Sequence, residues 1–368
     1  DKQLKSNPES PYLYNEKGMY LMELENYEGA IECFRNANKY VNEEDYALNN
    51  LCWAYNTIGE NDQALEYGNK SLSIMPNSEN EYVNIGNVYF ALEQYDKAED
   101  AYFSALEINE NTPYAIYGLG LCNYSQFKYE ESKENFLKYI EIKPDDIDGY
   151  LYLAYICIET SNFDNAMQYI ELAEDINSDY DDLEYCKGYY YYSIGDYEES
   201  LEYYNAYLSV YSNDADALFN AGDCLYNLGS YYESINYYNK ILEIYPEDIS
   251  SRIMNAYNYA EIGDYEKAFN ICNEVVEEEG ENPEVLNAIG YTYLCQTDYN
   301  KAEEYFDKAC KKDNLFEIAY ENKAYALYMD KNYSECIEFS KIALEKFPDN
   351  SEISWYIGDC YSSLYKSE

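Results

Sequence analysis

A period of 34 residues, kept without insertion or deletion from Pro11 to Asn350, constrains this chain more than any other feature. Copies begin at residues 11, 45, 79, 113, 147, 181, 215, 249, 283 and 317. The copy at 79–112 shows the pattern most plainly. Tyr82, Ile85, Gly86 and Tyr89 recur at three- and four-residue steps, as do Ala98, Tyr102 and Ala105. That spacing puts each set on one face of a helix. Between them Glu93, Gln94, Tyr95 and Asp96 are too polar to continue either stripe. Two short helices with one apolar face each cannot bury those faces alone, so each copy needs its neighbours.

The register is consistent with close helix packing. With the first residue of a copy as position 1, position 20 is Ala, Ser or Cys throughout, from Ala30 to Cys336. Position 8 is Gly, Ala or Cys throughout, from Gly18 to Ala324. Position 17 is Tyr or Phe in every copy except that of Asn61. Pro8, Pro76, Pro144, Pro246 and Pro348 fall at position 32, where a second helix must stop. Pro11, Pro113 and Pro283 fall at position 1, behind Ser10, Thr112 and Asn282 as capping residues. Gly59, Gly195, Gly229 and Gly263 sit at position 15, in the turn between helices.

These residues resemble the tetratricopeptide repeat (TPR) family, whose pattern is aromatic, Leu-Gly, Tyr, Ala, Phe, Ala and Pro at positions 4, 7–8, 11, 20, 24, 27 and 32. Tyr82, Ile85, Gly86, Tyr89, Ala98, Tyr102 and Ala105 match it, and Glu110 departs at the proline. The resemblance implies an all-α, TPR-type solenoid, a right-handed superhelix of antiparallel helix pairs with about twenty-two helices. Residues 1–10 are expected to be the end of a truncated preceding repeat, and residues 11–350 to form ten copies. Residues 351–368 are expected to supply the first helix of an eleventh copy or a cap helix. Nearest-neighbour packing makes this one elongated array rather than several globular domains.

Composition narrows the function. The net charge of −48 repels phosphate, so nucleic acid and anionic membrane are poor partners, while a basic or neutral protein suits it. No run of eighteen apolar residues is present, so no membrane insertion is expected. Histidine is absent, which removes the commonest general base and the usual partner of a Ser or Cys nucleophile. No enzymatic activity, cofactor or metal site is expected. The eleven cysteines form no CxxC pair, and Cys52, Cys122, Cys157, Cys224, Cys336 and Cys360 lie on or beside the packing stripe. They read as core thiols in a reducing, cytoplasmic compartment.

Three groups of residues bear on a ligand. First, Asn15, Asn49, Asn50, Asn84 and Asn87 form a partial inward ladder similar to that of the TPR region of O-linked N-acetylglucosamine transferase. That implies an alternative function, the substrate-recruiting arm of a larger enzyme such as a glycosyltransferase. The ladder breaks at Gly118, Tyr152 and Cys186 and returns only at Asn220 and Asn322, so these asparagines read as compositional rather than as a ligand-holding ladder. Second, the cationic clamp by which TPR domains hold the acidic tails of Hsp70 and Hsp90 is missing. No copy has Lys or Arg at position 2, 5, 6 or 9, so those tails are not expected ligands.

Third, the family's inner face is drawn mostly from positions 2, 5, 9 and 12. Here those positions carry Tyr117, Tyr124, Tyr155, Tyr185, Tyr189 and Tyr192, with Leu151 also at position 5. They also carry Phe219, Tyr226, Tyr257 and Tyr291. Asp148, Asp182 and Asp216 occupy position 2 in three successive copies. Copies 5 and 6, residues 147–214, hold fifteen acids against the single cation Lys187, whereas residues 283–350 hold thirteen against eight lysines. The set describes a groove for a peptide bearing Lys or Arg, in a non-catalytic scaffold. Purely structural roles would place the same residues here: rings that pack against adjacent helices, and Asp favoured in the first turn by the helix dipole.

Overall fold

Every copy of the register yields two helices, and the residue between them sets the turn. In this computed structural model, residues 7, 9–40 and 46–367 are described. The first three copies give α1 (Pro11–Glu23), α2 (Tyr27–Tyr40), α3 (Tyr46–Thr57), α4 (Asn61–Ile74), α5 (Glu79–Ala91) and α6 (Tyr95–Ile108). Next come α7 (Pro113–Ser125), α8 (Tyr129–Ile142), α9 (Ile147–Glu159), α10 (Phe163–Ile176), α11 (Asp181–Ser193) and α12 (Tyr197–Val210). The remainder are α13 (Ala215–Asn227), α14 (Tyr231–Ile244), α15 (Ile249–Glu261), α16 (Tyr265–Glu279), α17 (Pro283–Cys295), α18 (Tyr299–Lys312), α19 (Glu317–Met329) and α20 (Tyr333–Lys346). A single helix, α21 (Ser351–Ser367), follows the tenth pair. The described residues thus hold 21 helices and no strand. The further helix expected from residues 1–10 falls largely outside the described residues.

The helices gather into two compact units, Asp1–Cys186 and Lys187–Glu368, with the division inside α11. Within each unit a first helix packs against its own second helix and against helices of the next copy.

The turn is more uniform than its residues. Position 15 has positive φ in all ten copies. Glycine supplies it at Gly59, Gly195, Gly229 and Gly263, with φ of 73–82°. Glu25, Glu93, Phe127, Ser161, Thr297 and Lys331 take the same conformation at 56–62°. The closing hydrogen bonds demand it. The Glu93 amide donates to the Phe90 carbonyl at 2.8 Å, and the Gln94 amide donates to that of Tyr89 at 2.9 Å. Those bonds satisfy carbonyls left open at the end of α5.

Close approach across each pair rests on positions 8, 20 and 24. Position 20 is fully buried in every copy, from Ala30 to Cys336, at 0% exposure. Ser132, Ser200 and Ser234 at that position donate hydroxyl bonds of 2.7–2.8 Å to the carbonyls of Gly120, Gly188 and Gly222 at position 8. Positions 8 and 24 trade volume. A Cβ on Gly18, Gly86, Gly120, Gly188, Gly222 or Gly290 would lie within 3.0 Å of the aromatic ring at position 24 of its own copy. Where position 8 is Cys52, Ala154, Ala256 or Ala324, position 24 is the smaller Gly68, Ile170, Cys272 or Ser340.

Ten of the eleven cysteines are buried and all are free, with Cys295 half-buried. Burial pushes the Cys52 and Cys122 thiols up to about 12. Of the three capping residues before Pro, Ser10 and Asn282 accept from the backbone amides of Leu13 and Val285. Thr112 instead donates its hydroxyl to the Asn109 carbonyl at 2.8 Å, a local bond that competes with capping.

Two stability measurements follow. Gly290→Ala and Phe306→Ile should each cost about 1–3 kcal/mol, by overpacking and by a cavity. The double variant reproduces the Ala154/Ile170 pair and should cost less than the sum, as read by urea denaturation. Thr297→Gly should stabilise by about 1 kcal/mol, because a β-branched residue is forced into the left-handed region there.

Candidate functional site

Positions 2, 5, 9 and 12 are three and four residues apart, so each first helix offers them on one face. In the unit ending at Cys186, α7 contributes Tyr117 and Tyr124, α9 contributes Asp148 and Tyr155, and α11 contributes Asp182 and Tyr185. The four tyrosines are half-buried, as is Asp148, whereas Asp182 is exposed. Tyr117 lies 5.4 Å from the Phe136 ring, 5.0 Å from Tyr139 and 5.8 Å from Tyr152. These rings therefore pack into the helix layer and also line its face. Leu151, expected on the inner face, is instead a core residue at 3% exposure, since its turn of α9 points into the packed layer.

Tyr152 is the site residue that the sequence pattern does not single out. Its ring stacks on Phe136 at 4.9 Å and meets Tyr117, Tyr124 and Tyr155 edge-on at 5.7–5.9 Å. In the sequence it marks only a break in the asparagine ladder, although it lies three residues from Tyr155 on the same helix face. Asp148 accepts a 2.6 Å hydrogen bond from the Tyr180 hydroxyl. Burial pushes the hydroxyl of Tyr155 well above its ordinary range.

In the unit beginning at Lys187, Tyr189 and Tyr192 come from α11, Asp216, Phe219 and Tyr226 from α13, Tyr257 from α15 and Tyr291 from α17. All are half-buried except Asp216, which is exposed in the first turn. The cap of α13 is Asp214, which accepts from the Ala217 amide at 2.8 Å. Tyr257 meets Tyr291 edge-on at 5.1 Å and accepts from the Asn287 amide at 2.7 Å. The hydroxyls of Tyr226 and Tyr291 lie 3.3 Å apart, and Tyr291 donates to Glu261.

Two carboxylates outside the expected aspartate column sit among these rings. Asp223, at position 9 of α13, accepts from the Tyr238 hydroxyl at 2.5 Å and is also hydrogen-bonded by Tyr192. Glu261, at the end of α15, is hydrogen-bonded by Tyr291 and Tyr231. Among the described residues no Lys or Arg pairs with either. Burial, as the main cause, holds the Asp223 carboxyl above its ordinary range, and the two tyrosine hydroxyls pull the other way.

The asparagines pair with one another across neighbouring copies. The Asn50 amide donates to Asn15, and that of Asn84 to Asn49, each at 2.8 Å. Asn322 repeats the arrangement with Asn287 at 3.1 Å. Asn87 accepts from the Tyr102 hydroxyl at 2.7 Å.

Tetratricopeptide repeat models match residues 11–40, 80–112, 113–146, 147–180, 185–249 and 283–315, well over half of the chain. The chain belongs to the tetratricopeptide repeat family. A TPR repeat-containing protein of Methanocaldococcus jannaschii is 28% identical over 189 residues, 49% of this chain. That alignment spans only 33% of the relative. Yeast Tom70 superposes with a TM-score of 0.53 at 16% identity, over 96% of this chain and 88% of its own. The human IFIT1 dimer with m7Gppp-AAAA gives 0.56 at 15% identity, covering 92% and 91%. A TPR protein from Parabacteroides merdae gives 0.52 at 18%, covering 68% and 98%. These likenesses establish an all-α TPR solenoid fold. TPR arrays of this kind are scaffolds that bind other proteins or peptides. No helix among the described residues is long and apolar enough to cross a membrane.

The TPR face carries a pH signature. An acid held above its ordinary pKa contributes stability that is fully present below the unfolded value and is lost as pH rises through the folded one. At neutral pH the Asp223 charge is therefore a cost to the fold. Asp223→Asn should raise the thermal midpoint at pH 7, and the gain should vanish near pH 3, as followed by circular dichroism.

Proposed function

We propose that this protein is a non-catalytic TPR scaffold whose first-helix faces bind protein segments bearing Lys or Arg, in a reducing cytoplasmic compartment. One contrast carries the reading. Among the described residues several of the chain's own cations lie over aromatic rings, such as Lys97 over Tyr89, Lys267 over Tyr259 and Lys301 over Tyr293. None of those cations covers Tyr117, Tyr192, Phe219, Tyr226, Tyr257 or Tyr291. A face of half-buried rings with carboxylates beside them, in a chain of charge −48, is suited to an external cation. The charge also disfavours nucleic acid and the acidic chaperone tails. Each cation–π contact would contribute about 0.5–2 kcal/mol.

The test is a peptide-library screen on the immobilised protein at two salt concentrations. Basic segments should be enriched, and their affinity should fall as salt rises. Asp182→Ala and Tyr189→Ala should weaken binding by about three- to tenfold, within the range of single interface contacts, while the exposed control Glu202→Ala should not. Enrichment of acidic ligands, or equal binding by all three variants, would overturn the reading.

A further inference from the structure

We propose that the outward face of α21 pairs with the same face of a second copy of this chain, as two antiparallel helices about a two-fold axis. This goes beyond the peptide-binding reading and does not depend on it.

The face is the one that every other first helix covers. Position 8 is buried in all ten copies, from Gly18 to Ala324, and position 4 is buried or half-buried, from Tyr14 to Tyr320, because a second helix packs there. On α21 the corresponding Ser354 and Gly358 are exposed. Among the glycines within helices, Gly358 alone has open space where a Cβ would stand, with nothing inside 4 Å. At the six other position-8 glycines an aromatic ring occupies that space, as Phe306 does at Gly290. What fits on Gly358 is therefore a ring from an opposing helix.

The same helix carries such a ring. α21 has 17 residues, whereas the first helices of the ten copies have 12 or 13 and turn at position 15. By running on through position 15, α21 brings Tyr365 into line with Ser354, Gly358 and Tyr361, at steps of four, three and four residues. Tyr361 is 43% exposed and Tyr365 79%. The stripe thus reads small, small, ring, ring. Against an antiparallel copy of itself it sets Tyr361 on Gly358 and Tyr365 on Ser354, each contact made twice by symmetry. That is the exchange of volume by which positions 8 and 24 pack within each copy, continued between molecules. Trp355, also exposed, flanks the stripe and stands at the level of Leu364 in this register. A two-fold contact uses one patch twice, so a self-complementary stripe selects a second copy over an unrelated helix.

Charge permits the pairing here. The stripe has no charged residue, and residues 283–350 beside it hold thirteen acids against eight lysines, whereas residues 147–214 hold fifteen against one. Lys341 of α20 donates to the Tyr361 hydroxyl at 2.9 Å, which puts a cation at the edge of the face. One helix pair buries less than the roughly 1,200 Å² of stable interfaces, so the dimer belongs with transient contacts, of micromolar affinity.

The experiment is sedimentation equilibrium of the full chain over micromolar concentrations, at low and high salt. A monomer–dimer equilibrium should be found. It should tighten as salt screens the charge of −48 on each copy, the reverse of the salt dependence expected for a basic peptide. Gly358→Glu and Tyr361→Lys should each raise the dissociation constant by about tenfold or more, as for residues central to an interface. Both positions are exposed, so circular dichroism should be unchanged, and Tyr365→Ala carries the test if Tyr361→Lys disturbs the contact with Lys341. An equal mixture of Gly358→Glu and Tyr361→Lys should associate again. One new carboxylate then faces one new ammonium, and the other ring-on-glycine contact is intact. Tyr20→Ala, which removes an exposed ring from the other unit, should leave the constant unchanged. A monomer at every concentration overturns the proposal and leaves the face to a helix of another protein. A dimer indifferent to the α21 substitutions, or a mixture that fails to associate, overturns it as well. The peptide-binding reading stands in each case.

Discussion

The close approach of paired helices at positions 8, 20 and 24 is the constraint on which the rest of the molecule depends. Neither helix of a copy can bury its apolar face alone. Burial comes from bringing two backbones close enough for a ring at position 24 to lie on bare backbone at position 8, as Phe136 does on Gly120. Fully buried serines then tie the second helix to the first through carbonyls that the helical ladder already uses once. Because volume is conserved within each pair, some copies use a ring on glycine and others a smaller residue on alanine or cysteine. Packing density tolerates either, but not two large or two small residues together.

That packing also determines which rings remain at the surface. With the position-24 rings and position-20 side chains consumed inside the pairs, the tyrosines at positions 5, 9 and 12 lie half in the layer and half at its surface. Their ring edges pack against neighbours, and their hydroxyls find carboxylates and amides. Tyr291 donates to Glu261, Tyr238 to Asp223 and Tyr180 to Asp148. A tyrosine serves both needs, since its body is apolar and its tip polar. The tyrosines thus act as packing residues while their polar tips stay at the surface of the first-helix faces.

The burden of this arrangement is electrostatic. Cations are few, and those available lie over rings such as Tyr259 and Tyr293 or between Glu303 and Asp307. Asp223 has no such partner among the described residues, and its burial opposes its charge. A carboxylate kept at a cost to the fold is the kind of feature that binding sites retain and structural cores discard.

Sequence alone determined the helix register, the helix-breaking prolines and the small positions, because periodicity and residue volume are local and repeated ten times. It also established the excess of acid. It showed the left-handed turn only where glycine marked it. At Phe127 and Thr297 the same backbone is imposed by the hydrogen bonds that close the first helix, so residue preference does not reveal it. It put Tyr117 and Tyr155 on one face, yet Leu151, at an equivalent position, went into the core, because a three-four spacing defines a face and not how far a neighbour covers it. Tyr152 as an aromatic hub, and Asp223 and Glu261 as hydroxyl-bound carboxylates, depended on tertiary structure entirely. Their partners lie on other helices, Tyr238 on α14 and Tyr291 on α17, and only packing brings those hydroxyls to the carboxylates.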